Sequence, residues 1–591
     1  MPTSLRWILP LLLFSLAACD TTTGGASGDA TLALSALSCD IGGVNPAPFT
    51  VTDALAENAA DHEHAADYTY DVGSATTIAL NGTSATVTGD GATASGGGVT
   101  VSAPGTYVVS GTLSDGQIVV DSPDDGTVQL VLSGANIASS TDSGIRVDEG
   151  DKTVLILADG TTNSVSDGAT YADGVEQNAA VWSDDDLSIG GTGSLVVTAN
   201  FEDGIASKNG LVIADGTITV TAPDEGIRGK DYLVVRGGTF DVTAGGDGLK
   251  SDEDDDATHG YVLVAGGTLT VDADGDALTA ETDALLTGGT LDLRSGGGAG
   301  VTPDDESSTK GFKAGALAVV DGGTLTIDAS DDGVHSDSLV VLNGGTVEIA
   351  TADDAVHSDY DLTINGGTIT VTQSYEGVEA VTGDLVVNGG TISVTASDDG
   401  FNLSGDGDDP NGVESGADPY DMVFNAGRVT VTSGNDGLDS NGSLAINGGC
   451  IAISGPVPGT RPEQGALDSN GDITITGGVL VAAGAAGRQA QSPSASSAQP
   501  SVVLTFSSLQ SAGTVISVGD DGDGLAFAPS KTFQSLIVSA PWLSTGDDAS
   551  IYEGGAVTGT TTGGLSDGGT LDGASLLDEV PLSSTVTAVT L

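Results

Sequence analysis

The sequence predicts an all-β chain folded as a parallel β-helix, a solenoid whose rungs recur about every 22 residues. Three observations predict it. A phrase close to Asn-Gly-Gly-Thr returns as Leu342-Asn343-Gly344-Gly345-Thr346, Ile364-Asn365-Gly366-Gly367-Thr368 and Val387-Asn388-Gly389-Gly390-Thr391, with looser copies at Gly237-Gly238, Gly266-Gly267, Gly288-Gly289, Gly322-Gly323 and Gly448-Gly449. Each copy leads into residues of period two, as in Thr324-Leu325-Thr326-Ile327-Asp328, where Leu and Ile share one face. The Gly-Gly pairs supply the positive φ of a tight corner. One such turn cannot close a core alone. Stacked at ~4.8 Å it can.

The elements follow in order. Arg6 precedes an apolar run over residues 8–18 that is too short to span a bilayer, so residues 1–19 read as a secretory signal. Leu16-Ala17-Ala18-Cys19 resembles a bacterial lipoprotein cleavage box, which implies lipidation of Cys19; the alternative is an ordinary signal peptide. Residues 20–73, rich in Thr, Gly, Ala and Asp, read as a flexible tether, with His62 and His64 in a solvated patch. Residues 74–487 carry the repeat. Residues 488–500 are a low-complexity break. Residues 501–591 keep strand patterning without the period and are expected to cap an open sheet edge. Cys39 and Cys450 are the cysteines left after Cys19, so no disulfide framework is expected.

Composition narrows the partners. The chain carries 83 acidic and 15 basic residues, a net charge of −68. Nucleic acid is excluded as a partner class, and so is electrostatic attraction to an anionic membrane. Membrane contact is expected through the lipid alone. A monomer is expected. The period of 22 excludes the nine-residue calcium β-roll. Asp272-Ala273-Asp274-Gly275-Asp276 begins like a calcium helix-loop-helix loop, but Ala277 and Asp283 stand where Gly and Glu are needed.

Stacked rungs align side chains in columns. Asn343, Asn365, Asn388, Asn425 and Asn447 form one, with a structural role. A second column runs Asp203, Glu225, Asp247, Asp276, Lys310, Asp332, Asp354, Glu376, Asp399, Asp436. Three positions later stand Ala206, Arg228, Lys250, Thr279, Lys313, His335, His357, Glu379, Asn402, Asp439. Two further on come Lys208, Lys230, Asp252, Glu281, Gly315, Asp337, Asp359. By strand alternation the last two share one outward face.

Two carboxylates one rung apart repel by roughly 3.5 kcal/mol at an effective dielectric of 20. The column needs screening, protonation, neighbouring cations or bound metal. Oxygen ligands with few His favour Ca²⁺, so Asp247, Asp252, Asp276, Glu281, Asp332, Asp337, Asp354, Asp359, Glu376, Glu379 and Asp399 are candidate calcium ligands. The alternative is a hydrated acidic edge. His335 and His357 can stack as a zinc site or bond the acidic column, and the second is expected.

Arg228, Lys230, Lys250, Lys310 and Lys313 form a basic strip on successive turns, a candidate seat for an acidic polysaccharide with calcium bridging protein and sugar acid. Internal charge compensation is the alternative. Tyr375, Tyr360 and Tyr232 are candidate exposed aromatics, although aromatics make up only 4% of the chain.

Ser374-Tyr375-Glu376-Gly377-Val378-Glu379, Asp398-Asp399-Gly400-Phe401-Asn402, Asp331-Asp332-Gly333-Val334-His335-Ser336-Asp337, Lys310-Gly311-Phe312-Lys313-Ala314, Gly105-Thr106-Tyr107-Val108-Val109-Ser110-Gly111-Thr112-Leu113 and Ile227-Arg228-Gly229-Lys230-Asp231 together resemble bacterial carbohydrate-binding-domain lipoproteins. The resemblance runs from about residue 58 to the C-terminus. It implies a right-handed, calcium-bearing parallel β-helix similar to polysaccharide lyases, binding cellulose-like or pectin-like polysaccharide. Phe312 and Phe401 replace the family's usual Ile, and the Asp-rich insertion 405–419 is this chain's own.

The expectation is a lipid-anchored protein of the cell envelope or surface that binds polysaccharide, acidic or cellulose-like, through a calcium-stabilised face, without catalysis. One rival is a calcium-dependent uronate lyase with Lys250 or Lys313 as base. Another is a structural or adhesive spacer.

Overall fold

The computed structural model describes residues 30–39, 47–302, 307–405, 417–460, 464–520 and 523–591. The signal region with Cys19 and most of the insertion 405–419 lie outside the described residues. Those described are all-β, with one short helix, Val51–Leu55. Large parallel-stranded sheets dominate, the arrangement of a β-helix or solenoid.

Each central rung has three strands. One rung reads Ile227–Gly229, Tyr232–Val235 and Thr239–Ala244. Each pairs in parallel with its counterpart one rung later: Ile227 with Leu249, Leu233 with Val262, Phe240 with Leu269. The long strand alternates exposed and buried residues, as the period-two pattern requires. Its inward side chains join one continuous core from Ile78 to Ile537.

The corner glycines have a steric cause. Gly367 has φ 88°, and a Cβ there would lie 3.0 Å from the Gly344 carbonyl carbon and the Gly345 carbonyl oxygen of the preceding rung. The amide ladder runs beside this corner. The Nδ2 groups of Asn365, Asn388, Asn425 and Asn447 donate in turn to Oδ1 of Asn343, Asn365, Asn388 and Asn425, at 2.8 to 3.0 Å.

The segment expected to be a flexible tether is instead laid along the solenoid. Asn343 donates to the Phe49 carbonyl, the Val51 amide to Asp321, Asn58 to Asp283, and Tyr261 to the Ala59 carbonyl. Further along, Lys152 pairs with Asp67 at 2.6 Å. The strap thus runs against the rung order. It explains why Tyr232–Val235 is buried on both faces: Phe49, Val51, Ala54 and Leu55 cover the outward side chains of that ladder. Tyr232, expected to be exposed, is only 5% exposed. His62 is half-buried against it, with Nδ1 2.9 Å from the Tyr232 hydroxyl and Nε2 2.8 Å from Ser188 Oγ.

Cysteine pairing also departs from expectation. Cys39 and Cys450 form a disulfide across 411 positions, with Cα atoms 5.1 Å apart. It fastens the start of the strap to a late rung. Nearby, Ala30–Ala33, the first described strand, pairs antiparallel with Thr570–Pro581. Two cysteines far apart in sequence carry no local sign of this. Among the described residues no helix is long and apolar enough to cross a membrane.

Candidate functional site

The short strands, three residues each in the central rungs, carry the charged face. Their ladder continues through Arg146, Trp182, Ala206, Arg228, Lys250, Thr279, Lys313, His335, His357, Glu379, Asn402, Asp439 and Asp468, each in register with the next. The expected order of this column is reproduced from Ala206 to Asp439. Asp468 was missed, although Leu467-Asp468-Ser469-Asn470-Gly471 repeats Leu438-Asp439-Ser440-Asn441-Gly442.

The acidic column beside it lies at the corner, where small residues such as Gly400 leave no room for a Cβ against Val431 and the Gly437 carbonyl. Its carboxylates cap backbone amides of the next rung. The Asp276 amide donates to Asp247, Asp354 to Asp332, Glu376 to Asp354, and Asp436 to Asp399, at 2.7 to 3.2 Å. Much of its negative charge therefore has structural work.

The basic strip is neutralised from within. Arg228 holds Asp203 at 2.9 Å and Asp252 at 3.4 Å. Lys250 lies 2.8 Å from Glu225 and 2.9 Å from Asp247. Lys310 lies 2.8 Å from Asp331 and 2.9 Å from Asp332. Lys313 approaches Asp276 at 3.4 Å, and Lys230 meets Glu253 at 2.7 Å. Asp247, Asp252, Asp276, Glu281, Lys250 and Lys313 do converge, on an open cleft of about 470 Å³. Burial opposes the Lys250 charge, but Asp247 and Glu225 raise its pKa above the ordinary lysine value. A proton-abstracting base needs the opposite shift.

In the middle rungs the imidazoles supply the cations. His335 Nδ1 lies 2.8 Å from Asp332 and Nε2 2.8 Å from Asp337. His357 Nδ1 lies 3.2 Å from Asp354 and 2.9 Å from Glu379, and its Nε2 lies 3.2 Å from Asp359. Burial opposes the His357 charge, yet the hydrogen bonds to Asp354 and Glu379 push its pKa up to about 11. Asp332, His335 and His357, and likewise Asp354, His357 and Glu379, bring their ligand atoms within 4.8 Å of one another, a grouping that could hold a metal ion.

In the late rungs the column continues through Asn402, Asp439 and Asp468. Asp436 is fully buried. Its Oδ1 accepts from the Gly465 amide at 3.1 Å, and its Oδ2 has no partner. Burial, then Asp399, Asp439 and Asp468, push its pKa up to about 8. Hard oxygen donors around a buried orphan oxygen fit a calcium ion. Of the expected ligands, Asp399 belongs to this set. Glu376, one rung earlier, accepts from Asn402, and Glu379 accepts from the same amide at 3.0 Å.

The aromatics divide. Tyr360 and Tyr375 are 55% and 45% exposed, as expected. Tyr171, Phe201 and Trp182, which sequence reading missed, line an open cleft of this face, about 860 Å³, together with Lys208, Arg228 and Lys230. Phe201 and Tyr171 lie outside the strands of the repeat, so periodicity carries no sign of them.

Residues 95–355 and 354–525 match the family described as Carbohydrate-binding domain-containing protein. A relative of that description from Acetivibrio thermocellus is 42% identical over 123 residues, 20% of this chain and 43% of the relative. The chain therefore spans less than half the length of that curated relative. A solved structure described as the polysaccharide lyase-like protein from C. thermocellum, gadolinium derivative, is 33% identical, covers 37% of this chain and 90% of that one, and has a TM-score of 0.36. With the family matched from residue 95 to residue 525, more than half its length, the chain belongs to the carbohydrate-binding domain-containing protein family.

Proposed function

We propose that the protein binds polysaccharide without catalysis, as a monomeric lipoprotein secreted across the cytoplasmic membrane and held at the cell envelope or surface through Cys19. The observation that carries polysaccharide binding is the family match over residues 95–525. The name of the Acetivibrio thermocellus relative agrees with it. The Cys39–Cys450 disulfide supports an oxidising, extracytoplasmic setting. The fold in this reading is a right-handed parallel β-helix. The antiparallel pairing of Phe533–Ser539 with the last-rung strand Val479–Gly484 supports a C-terminal cap.

Calcium belongs to this reading in a narrower place than the sequence suggested. The early and middle rungs carry their own cations. Asp436, whose buried Oδ2 has no partner, would hold the ion together with Asp399, Asp439 and Asp468, and the ion would offer open coordination to a sugar acid or hydroxyl. The lyase rival loses support at Lys250, whose ammonium is fixed by two carboxylates.

The test is affinity electrophoresis of the purified protein through gels containing cellulose-type or polygalacturonate polymer, with ultraviolet absorbance read in parallel for unsaturated product. Retardation without product is the expected result. Product formation that Lys313→Ala abolishes would establish a lyase, and no retardation by any polymer would favour the spacer.

A further inference from the structure

The 860 Å³ cleft at the early end of the charged face is built differently from the rungs that follow it. Trp182 forms part of its lining, in register between Arg146 and Ala206. Residues 170–178 form one wall, and Phe201 and Glu202 another. Tyr171 and Phe201 stack with centroids 4.7 Å apart and planes at 29°. The pair is held from behind. The Tyr171 hydroxyl donates to Asp167 at 2.8 Å and to the Ala179 carbonyl at 3.0 Å, and the Asn200 amide donates to Asp167 at 2.6 Å. Glu202 has φ 44°, the one non-glycine residue in the left-handed region among the described residues. Such strain is kept where a neighbouring side chain must be presented in one way. The Trp182 indole N–H is buried and has no partner.

The cations of this cleft decide the ligand class. Lys208 lies 2.9 Å from Glu176 and 2.7 Å from Asp184. Lys230 is taken by Glu253 and Arg228 by Asp203. No net positive field remains to draw an anion, and a sugar acid would have to displace a carboxylate. A neutral pyranose has no such competitor. Its C–H face suits a fixed aromatic pair, and its hydroxyls can accept from Lys208 or Lys230 while donating to Glu176 or Glu202. Half-exposed ion pairs are weakly held, so inserting hydroxyls between their members costs little.

We infer that the cleft formed by Tyr171, Phe201 and Trp182 is a subsite for one ring of a neutral, flat-faced hexopyranose glycan. This rests on the polysaccharide-binding reading and specifies the sugar.

The test is calorimetric titration of the full chain with cellohexaose and with an oligogalacturonate of equal length, using wild type, Phe201→Leu and Phe201→Ala. Leu keeps apolar bulk at the turn and removes the flat ring, so the comparison stands even where Ala disturbs folding. The expected result is cellohexaose binding that weakens about tenfold in Phe201→Leu, with oligogalacturonate weaker than cellohexaose in wild type. Equal cellohexaose affinity in wild type and Phe201→Leu overturns the subsite while leaving polysaccharide binding intact. Preference for oligogalacturonate overturns the ligand class. Failure of wild type to bind either oligosaccharide, or either polymer in gels, overturns the parent reading as well.

Discussion

His335 and His357 lie face to face one rung apart, with ring centroids separated by 4.9 Å and planes 10° from parallel. Two imidazolium rings at that distance repel by roughly 3 kcal/mol at an effective dielectric of 20. Five carboxylates surround them: Asp332 and Asp337 on one, Asp354, Asp359 and Glu379 on the other. Each contact near 3 Å attracts by roughly 5 kcal/mol on the same scale, before desolvation. Attraction outweighs this repulsion, and the pKa values of both rings rise above the ordinary histidine value.

His357→Gln should therefore destabilise the protein by about 3–5 kcal/mol, because it leaves Glu379 as an uncompensated buried charge beside Asp354, whose pKa burial pushes up to about 7. Adding Glu379→Gln should restore part of the loss, since the stranded charge goes with it. Thermal melts of the two single variants and the double variant measure the coupling. Additive losses would show that the two side chains act independently.

The strap makes a pH prediction. His62 is half-buried against Tyr232, Ser188, Asp186 and Lys152, near Asp61 and Asp67. Burial, then Lys152, lower its pKa from 6.5 to about 4. The unfolded strap takes the proton first, so this contribution is full above pH 6.5 and is lost as pH falls towards 4. Its size is on the order of 3 kcal/mol. Asp186 has the opposite sign: burial pushes it up to about 6, so the folded state takes its proton first between pH 6 and 3.8. Hydrogen exchange in residues 47–70 should quicken from pH 6.5 to 6 and then level off. His62→Gln should remove the acceleration, and Asp186→Asn should extend it below pH 6. A strap whose exchange follows only the intrinsic chemical rate would contradict this account.

The Cys39–Cys450 bond closes a loop long enough that chain entropy gives at most about 6 kcal/mol. The real gain should be smaller, because the contacts of residues 49–67 persist without it. Cys39→Ser with Cys450→Ser should lower the melting temperature and expose residues 30–39 to proteolysis first, with the central rungs unchanged. Loss of the whole solenoid in one step would mean that the strap, rather than the stacked core, governs cooperativity.

The same distances in sequence explain what was legible. The rung columns were readable because a fixed period with strict alternation determines register, and Ala206 to Asp439 stack as the spacing required. The neutralisation of Lys250 and Lys310 followed from geometry at one-rung range. The strap was hidden because its partners, such as Asp321 for Val51 and Asp283 for Asn58, lie 225 to 270 positions away. Low hydrophobicity made it resemble a tether, yet it buries few but well-placed side chains. The aromatic cleft was hidden for a related reason: Tyr171 and Phe201 come together from two interruptions of the repeat, where periodicity carries no information.

The late rungs carry the calcium prediction. Asp436 keeps one oxygen without a partner in a fully buried position, beside Asp399, Asp439 and Asp468. A cation bound only by the folded state stabilises it by mass action, about 2.7 kcal/mol at a hundredfold excess over the dissociation constant. Calcium should therefore raise the melting temperature of wild type by a few degrees relative to chelator, and magnesium should do less, because it parts with its water reluctantly. Asp436→Asn keeps the oxygen that accepts from Gly465 and removes the charge. In chelator this variant should melt at or above wild type, since a buried carboxylate has gone, and calcium should shift it less than half as far. The paired middle rungs give an internal control. Glu379→Gln should leave the calcium shift intact, because Glu379 is already matched by His357. Equal calcium shifts in wild type and Asp436→Asn would remove the ion from these rungs.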